Sequence, residues 1–218
     1  MRQILCATAA VGIMLVCAPS LGWAANLVSD GGFENPLVAN STSCGATYCA
    51  GFTVGQTIGP WTVVGPGQTA GNFAILNISR PYAEGTLKFE PARGNQALDL
   101  TGSSNQGLNG VQETIKTKPG VTYTVSFSIG HADRDAYLPA SMVSLFINGV
   151  SVGNFTNDLV TANRINWAQS SYSFTATGKS TVIAFYNAST DSNYVGLDQV
   201  SVAPAVVVSG ADLGKGMR

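Results

Sequence analysis

The sequence predicts an all-β protein, an antiparallel β-sandwich or barrel, and three observations carry that prediction. Apolar and small hydroxyl residues alternate with a period of two over long stretches. Asn-Gly and Pro-Gly turn signals separate these stretches. No segment shows a helical period of useful length, and only 11% of the residues are charged, so the helix formers Glu, Lys and Arg are scarce.

In chain order, short strands are expected at Trp61–Val64, Phe73–Ile78, Ala97–Leu100 and Val111–Thr117. Lys118-Pro119-Gly120 then turns the chain into the clearest strand, Val121 to Ile129. There every odd position is apolar or aromatic and every even one is Ser or Thr. Such a strand buries one face and wets the other. Val143, Leu145 and Ile147 repeat the alternation and end at Asn148-Gly149, which predicts a hairpin returning through Val150 to Phe155. Tyr172–Ala176, Thr181–Asn187 and Tyr194–Val202 complete about ten strands.

The chain opens with Arg2, an apolar run from Ile4 to Ala18, and the small residues Gly22 and Ala24 around Trp23. This reads as a secretory signal peptide over residues 1–24. The rival reading is an uncleaved anchor, but the run is shorter than the ~20 residues a membrane span needs. Lipid attachment at Cys17 is disfavoured by the bulky Val16 before it. Removal of the leader leaves 194 of the 218 residues, enough for one domain that buries roughly 70% of its unfolded surface. A sandwich domain over 25–203 and a flexible tail over 204–218 are expected. The exported product would be extracellular or periplasmic, with no transmembrane span in the mature chain. Of its two remaining cysteines, Cys44 and Cys49 are expected to pair in that oxidising compartment. So small a ring is worth about 2 kcal/mol, which pins a loop rather than the fold. One His and two Cys do not make the four-ligand set of a zinc site.

Without Arg2 the mature chain carries ten basic and twelve acidic side chains. There is no basic excess to displace phosphate counterions, so nucleic acid is not an expected partner. Catalytic constellations are thin. His131 is the only imidazole, no Gly-x-Ser-x-Gly elbow occurs, and no Gly-rich phosphate loop precedes a helix. A glycoside hydrolase needs two facing carboxylates, for which Glu84, Glu90, Asp99 and Glu113 are available. The expectation is a protein that is not an enzyme.

The densest polar cluster is His131, Asp133, Arg134, Asp135 and Tyr137, expected on a loop at one end of the fold. A second loop carries Asp191, Asn193 and Tyr194. Carboxylates, amides and Arg suit sugar hydroxyls, and an aromatic ring suits the apolar sugar face. Trp167, between polar neighbours, is the candidate stacking platform, with Tyr82 similar, whereas Trp61 opens an apolar strand and belongs in a core. If both loops lie at one end they frame one neutral-polar site. The Asn-x-Ser/Thr sequons at Asn40, Asn77, Asn154 and Asn187 are expected by chance in so Asn-, Ser- and Thr-rich a chain.

Several motifs, in order, resemble a known family. Asn26-Leu-Val-Ser-Asp-Gly-Gly-Phe-Glu34-Asn-Pro opens the mature chain, and Pro60-Trp61-Thr-Val-Val-Gly65 follows. Gly94-Asn-Gln-Ala-Leu-Asp-Leu100, Gly110-Val-Gln-Glu-Thr-Ile115 and Pro119 to Phe127 come next, and Gly196-Leu-Asp198-Gln-Val-Ser-Val202 closes. The set resembles a bacterial, single-domain member of the domain of unknown function 642 family. It is also similar to jelly-roll carbohydrate-binding modules of the galactose-binding-like superfamily. The resemblance implies a jelly-roll sandwich and a structural calcium between Glu34 and Asp198, with a backbone carbonyl near Asp30. Calcium takes hard oxygen ligands, which these are. The plain alternative is that Glu34 caps a turn and Asp198 bonds amides at a bulge. Together these features point to a secreted carbohydrate-binding sandwich at a cell wall or extracellular matrix, with a polysaccharide or glycan as partner. The alternatives are an adhesive protein that binds a cell-envelope protein and, less expected, a polysaccharide hydrolase.

Overall fold

The computed structural model describes residues 25–38, 41, 43, 47–103, 108–132, 140–159, 163–189 and 194–205. Residues 1–24, where a signal peptide is expected, and residues 206–218 of the expected tail lie outside them. So do Cys44, Asp133, Arg134, Asp135, Tyr137, Asp191 and Asn193. Among the described residues there is no helix. The strands are β1 (Cys49–Phe52), β2 (Thr57–Ile58), β3 (Trp61–Val64), β4 (Ile75–Ser79), β5 (Ala83–Glu84), β6 (Leu87–Lys88) and β7 (Gln96–Asp99). They continue as β8 (Gly110–Lys116), β9 (Thr122–Ala132), β10 (Ser141–Ile147), β11 (Val150–Asn157), β12 (Ile165–Thr175), β13 (Ser180–Asn187) and β14 (Val195–Pro204).

Two six-stranded antiparallel sheets form the sandwich. The first runs β1-β4-β7-β14-β9-β12 and the second β11-β10-β13-β8-β3-β2, while β5 and β6 pair separately as a small hairpin. The fold is the expected antiparallel sandwich of jelly-roll type. Every strand read from the sequence is present, with shifted ends in all but β3. Among the described strands, β1, β2, β5 and β6 are not read from the sequence; they are two to four residues long and show no apolar-polar period. Asn148 and Gly149 both have positive φ, 51° and 78°, so the predicted hairpin turn forms and pairs Ile147 with Val150.

The inward faces meet in an aromatic core. Phe127 packs edge-on to Phe185 at 4.9 Å and to Phe155 at 5.2 Å. Trp61 lies 6.1 Å from Phe185 and 5.4 Å from Phe33. Phe33 does not belong to a strand. It is carried in by the segment Asn26–Glu34, which crosses the last strand: Leu27 donates its amide to the Val202 carbonyl, and Val200 to that of Gly31, both at 2.8 Å. A Cβ on Gly31 would stand 1.9 Å from the Val200 carbonyl oxygen, so only glycine fits there. The indole N–H of Trp61 then donates to the Asp30 carbonyl at 3.1 Å.

Trp61 therefore couples packing to chain topology. Trp61→Ala removes a fully buried ring and one hydrogen bond, and is expected to cost about 3–5 kcal/mol. Thr62→Ala, half-buried on the other face of the same strand, should change stability by less than about 0.5 kcal/mol. Urea unfolding midpoints of the two variants check this.

Candidate functional site

The site lies on the outer face of the first sheet, and strand register dictates which residues reach it. Leu98, Leu197 and Ile129 are register partners on β7, β14 and β9 and point into the core. The next row up points outward: Asp99, Gly196, Gly130 and Trp167. Gly196 and Gly130 leave bare backbone between them, and the Trp167 ring fills that space. A Cβ on either glycine would meet the ring at 2.9 Å. The indole N–H donates to the Glu90 carbonyl at 2.9 Å, which fixes the ring's orientation. Trp167 is half-buried, so the ring keeps an exposed part.

One row further along lie Asp198, Ser128 and Gln169. Here β14 is bulged: the register shifts between Asp198 and Ser201, and Gln199 has φ 53°. The bulge opens a depression of about 670 Å³ lined by Glu34, Arg93, Gln169, Asp198, Gln199 and Ser201, among others. The Gln199 amide oxygen accepts from the Ser128 hydroxyl at 2.9 Å. Asp198 accepts amide hydrogens from Arg93 at 3.0 Å and Gln199 at 2.6 Å. Glu34 Oε1 accepts from Asn95 at 2.7 Å and Gln96 at 3.1 Å. Gly94 permits this reach, because a Cβ there would stand 2.1 Å from that oxygen.

Two carboxylates thus face one depression across Gly32, whose Cβ would lie 3.9 Å from Asp198 Oδ1 and 3.7 Å from Glu34 Cγ. Burial pushes the Asp198 carboxyl up to about 7, the amides of Arg93, Gln199 and Ala92 oppose the rise, and the Glu34 charge adds to it. A divalent cation would relieve this repulsion, so Glu34 and Asp198 fit a calcium site in charge and ligand type. Asp30 does not fit the site. Its carboxylate caps a turn, accepting the Glu34 amide at 2.8 Å and the Asn35 amide at 3.0 Å. Its carbonyl is occupied by Phe33 and Trp61. Among the described residues no three acidic, His or Cys side chains are grouped to hold a metal. Any further ligands would have to be carbonyls or water.

The loop residues read from sequence are placed as follows. β9 runs past Ile129 through His131, so His131 is a strand residue rather than a loop residue, and its ring points inward, fully buried, with Nδ1 3.0 Å from the Ser141 hydroxyl. Tyr194 is also buried and packs edge-on to Phe89 at 5.1 Å. Neither offers a surface to a ligand, because strand alternation carries the His131 ring into the sandwich and a cluster of Leu87, Phe89, Ile165 and Tyr82 covers Tyr194. The loops bearing Asp133–Tyr137 and Asp191–Asn193 lie outside the described residues. Their roots, however, are adjacent: His131 pairs with Val195 and Ala132 with Ile165. Both loops therefore leave the same end of the first sheet. Arg93, Gln169 and Gln199 escape sequence reading. Only Gln169 carries a signal, being two residues from Trp167 and so on the same strand face.

Asp99 is the second buried acid of this face. Its Oδ1 accepts from the Thr101 amide at 2.9 Å and hydroxyl at 2.6 Å, and burial pushes its carboxyl up to about 7. An acid whose folded pKa lies above its unfolded value binds its proton more tightly when folded. Stability therefore falls as pH rises from about 4 to about 7 and is level above that. Asp99→Asn should flatten this slope by an amount on the order of a few kcal/mol. Melting temperatures from pH 4 to 8 check it.

No curated protein matches the chain in sequence. The C-terminal domain of EclA, described as a sugar-binding protein, superposes with TM-score 0.35 and 19% identity over 42% of this chain and 64% of its own. A family 35 carbohydrate-binding module from Clostridium thermocellum gives 0.44 and 11%, over 72% of this chain and 98% of that one. TmCBM61, solved with β-1,4-galactotriose, gives 0.44 and 13%, over 83% and 99%. Likenesses this distant say nothing about a ligand. The resemblance of the motifs to the domain of unknown function 642 family gains no support from these matches. One family profile, described as HpiC1 cyclase, matches residues 24–203, which is the whole sandwich; the chain belongs to the HpiC1-like family.

Proposed function

We propose that the chain is a secreted, non-catalytic carbohydrate-binding sandwich that acts at a cell wall or extracellular matrix. The observation that supports this most is Trp167, locked over two glycines beside a depression lined by Glu34, Asp198, Gln169 and Arg93, among others. A pyranose has an apolar C–H face and a hydroxyl rim. Trp167 offers a ring to the first. Gln169, two residues along the strand and so about 6.7 Å away, offers an amide to the second, with Arg93 beside it in the depression. The neutral hydroxyl and amide surface adds little long-range charge, which suits an uncharged partner.

Calcium at Glu34 and Asp198 belongs to this reading as a structural ion, joining the first segment of the mature chain to its last strand. A second reading comes from the family's description as a cyclase. Acid-assisted ring closure needs a carboxyl kept neutral near pH 7. Asp99 meets that need in protonation but is buried and bonded to Thr101, so the binding reading is preferred.

A glycan array with the mature protein, with and without calcium, tests the proposal. Binding is expected, and Trp167→Ala should weaken it by about 2 kcal/mol, near thirtyfold in Kd. Gln169→Ala should weaken it less, with no change in melting temperature. Absence of binding to every glycan under both conditions would overturn the reading. For the ion, chelator, Glu34→Ala and Asp198→Ala are each expected to lower the melting temperature, and calcium should restore only the wild type. An unchanged melting curve in chelator would reject the site.

A further inference from the structure

A second depression, of about 600 Å³, opens at the other end of the sandwich, where β8 turns into β9 and β14 ends. Leu27, Val121, Tyr123 and Pro204 form its apolar wall, and Lys116 and Lys118 also line it. It is remote from the candidate site. Tyr123 and Gly130, the register partner of Trp167, lie seven residues apart on β9, or about 24 Å. The wall is rigid. Tyr123 stacks on Phe174 at 5.7 Å, and its hydroxyl oxygen accepts the Lys118 amide at 2.9 Å. The Thr117 hydroxyl, also in the lining, is engaged with the Gly178 carbonyl and the Thr181 hydroxyl, both at 3.0 Å. Leu27 and Val121 pack on the core and remain half-buried. Lys116 and Lys118 are exposed, and a third exposed lysine, Lys179, adjoins them by accepting the Thr117 amide on its carbonyl at 2.9 Å. Three cations thus gather at one end of a chain whose net charge is −1. Among the described residues no acid lines the depression. Glu113, on the same strand as Lys116, is buried and accepts the Ser29 amide.

We infer that this depression binds an anionic amphiphile with a single alkyl chain, a fatty-acid carboxylate. The chain lies along Leu27, Val121, Tyr123 and Pro204, and the carboxylate meets Lys116 and Lys118. Each half of this occupant matches one half of the site. Methylenes gain by leaving water for the apolar wall. Sugar hydroxyls against the same wall would lose their water partners without replacement, because both hydroxyls in the lining are already bonded. The two ammonium groups, with no carboxylate beside them in the lining, favour a negative headgroup. This site is independent of the glycan reading, since it shares no residue with the Trp167 face.

Isothermal titration calorimetry of the mature chain with octanoate, nonanoate and decanoate, each below micelle formation, tests this. Saturable one-to-one binding is expected, tightening about fourfold with each added methylene. 1-Decanol should bind about tenfold more weakly than decanoate. The double variant Lys116→Gln/Lys118→Gln should lose about the same factor for decanoate and little for 1-decanol. Both lysines are exposed, so its melting temperature should not change, which shows that it folds. Trp167→Ala should leave decanoate binding intact. Absence of saturable decanoate binding, as follows if another part of the chain or a second copy covers the wall, would overturn the inference. Equal decanoate affinity in the wild type and the double variant would do the same. So would association with phosphatidylglycerol vesicles by a chain that takes up no decanoate, which would assign the lysines to a membrane surface.

Discussion

The passage of Asn26–Glu34 across the last strand is the constraint on which the rest of this structure depends. Gly31 lies so close to the Val200 carbonyl that no side chain is tolerated. That approach puts Phe33 into the core beside Trp61 and leaves the Phe33 carbonyl to accept from Asn77 Nδ2 and Gln96 Nε2. Both sheets are thereby tied to one short irregular segment: β3 and β8 of the second sheet, through Trp61 and Glu113, and β4, β7 and β14 of the first. The same passage brings Glu34 to Asp198. The acidic depression is a by-product of closing the sandwich at its termini.

The first sheet is consequently not a simple wet-outside, dry-inside layer. Part of its outer face carries a second apolar cluster, built from Ile78, Ala132, Ile165 and Tyr194 under Leu87 and Phe89 of the hairpin region. Tyr82, bonded to Glu84 at 2.9 Å and raised in pKa by burial first and by that carboxylate second, closes its rim. Trp167 stands at the border between this cluster and the hydroxyl rows beyond. A ring at such a border keeps one part packed and one part wet. That is the physical condition for a rigid aromatic platform, because packing removes the rotamer freedom a free surface Trp would lose on binding.

The fold was legible because alternation is a local property. In β9, the side-chain period alone separates core from surface, so Val121 to Ile129 reads correctly without any partner strand. The same logic placed Trp61 in the core and Asn148-Gly149 in a turn. It failed for His131, where polarity suggested a loop. The strand continues, and it carries the imidazole inside the sandwich, with Nδ1 3.0 Å from the Ser141 hydroxyl. Asp30, near which the family resemblance places a carbonyl ligand, turns its carboxylate to the amides of Glu34 and Asn35, a use that composition does not reveal.

By itself, the sequence determined the all-β class, most strands and the hairpin at Asn148-Gly149, while the pairing of Glu34 with Asp198 came only from the family resemblance of its motifs. These follow from side-chain periodicity, turn chemistry and motif order, which are written along the chain. Only the tertiary structure decided that Trp167, Gly130 and Gly196 share a row and that Arg93 and Gln169 line the same depression as Glu34 and Asp198. Those facts depend on cross-strand register and on a bulge at Gln199. Register is set by how two distant stretches bury their apolar faces together, and no single stretch carries it.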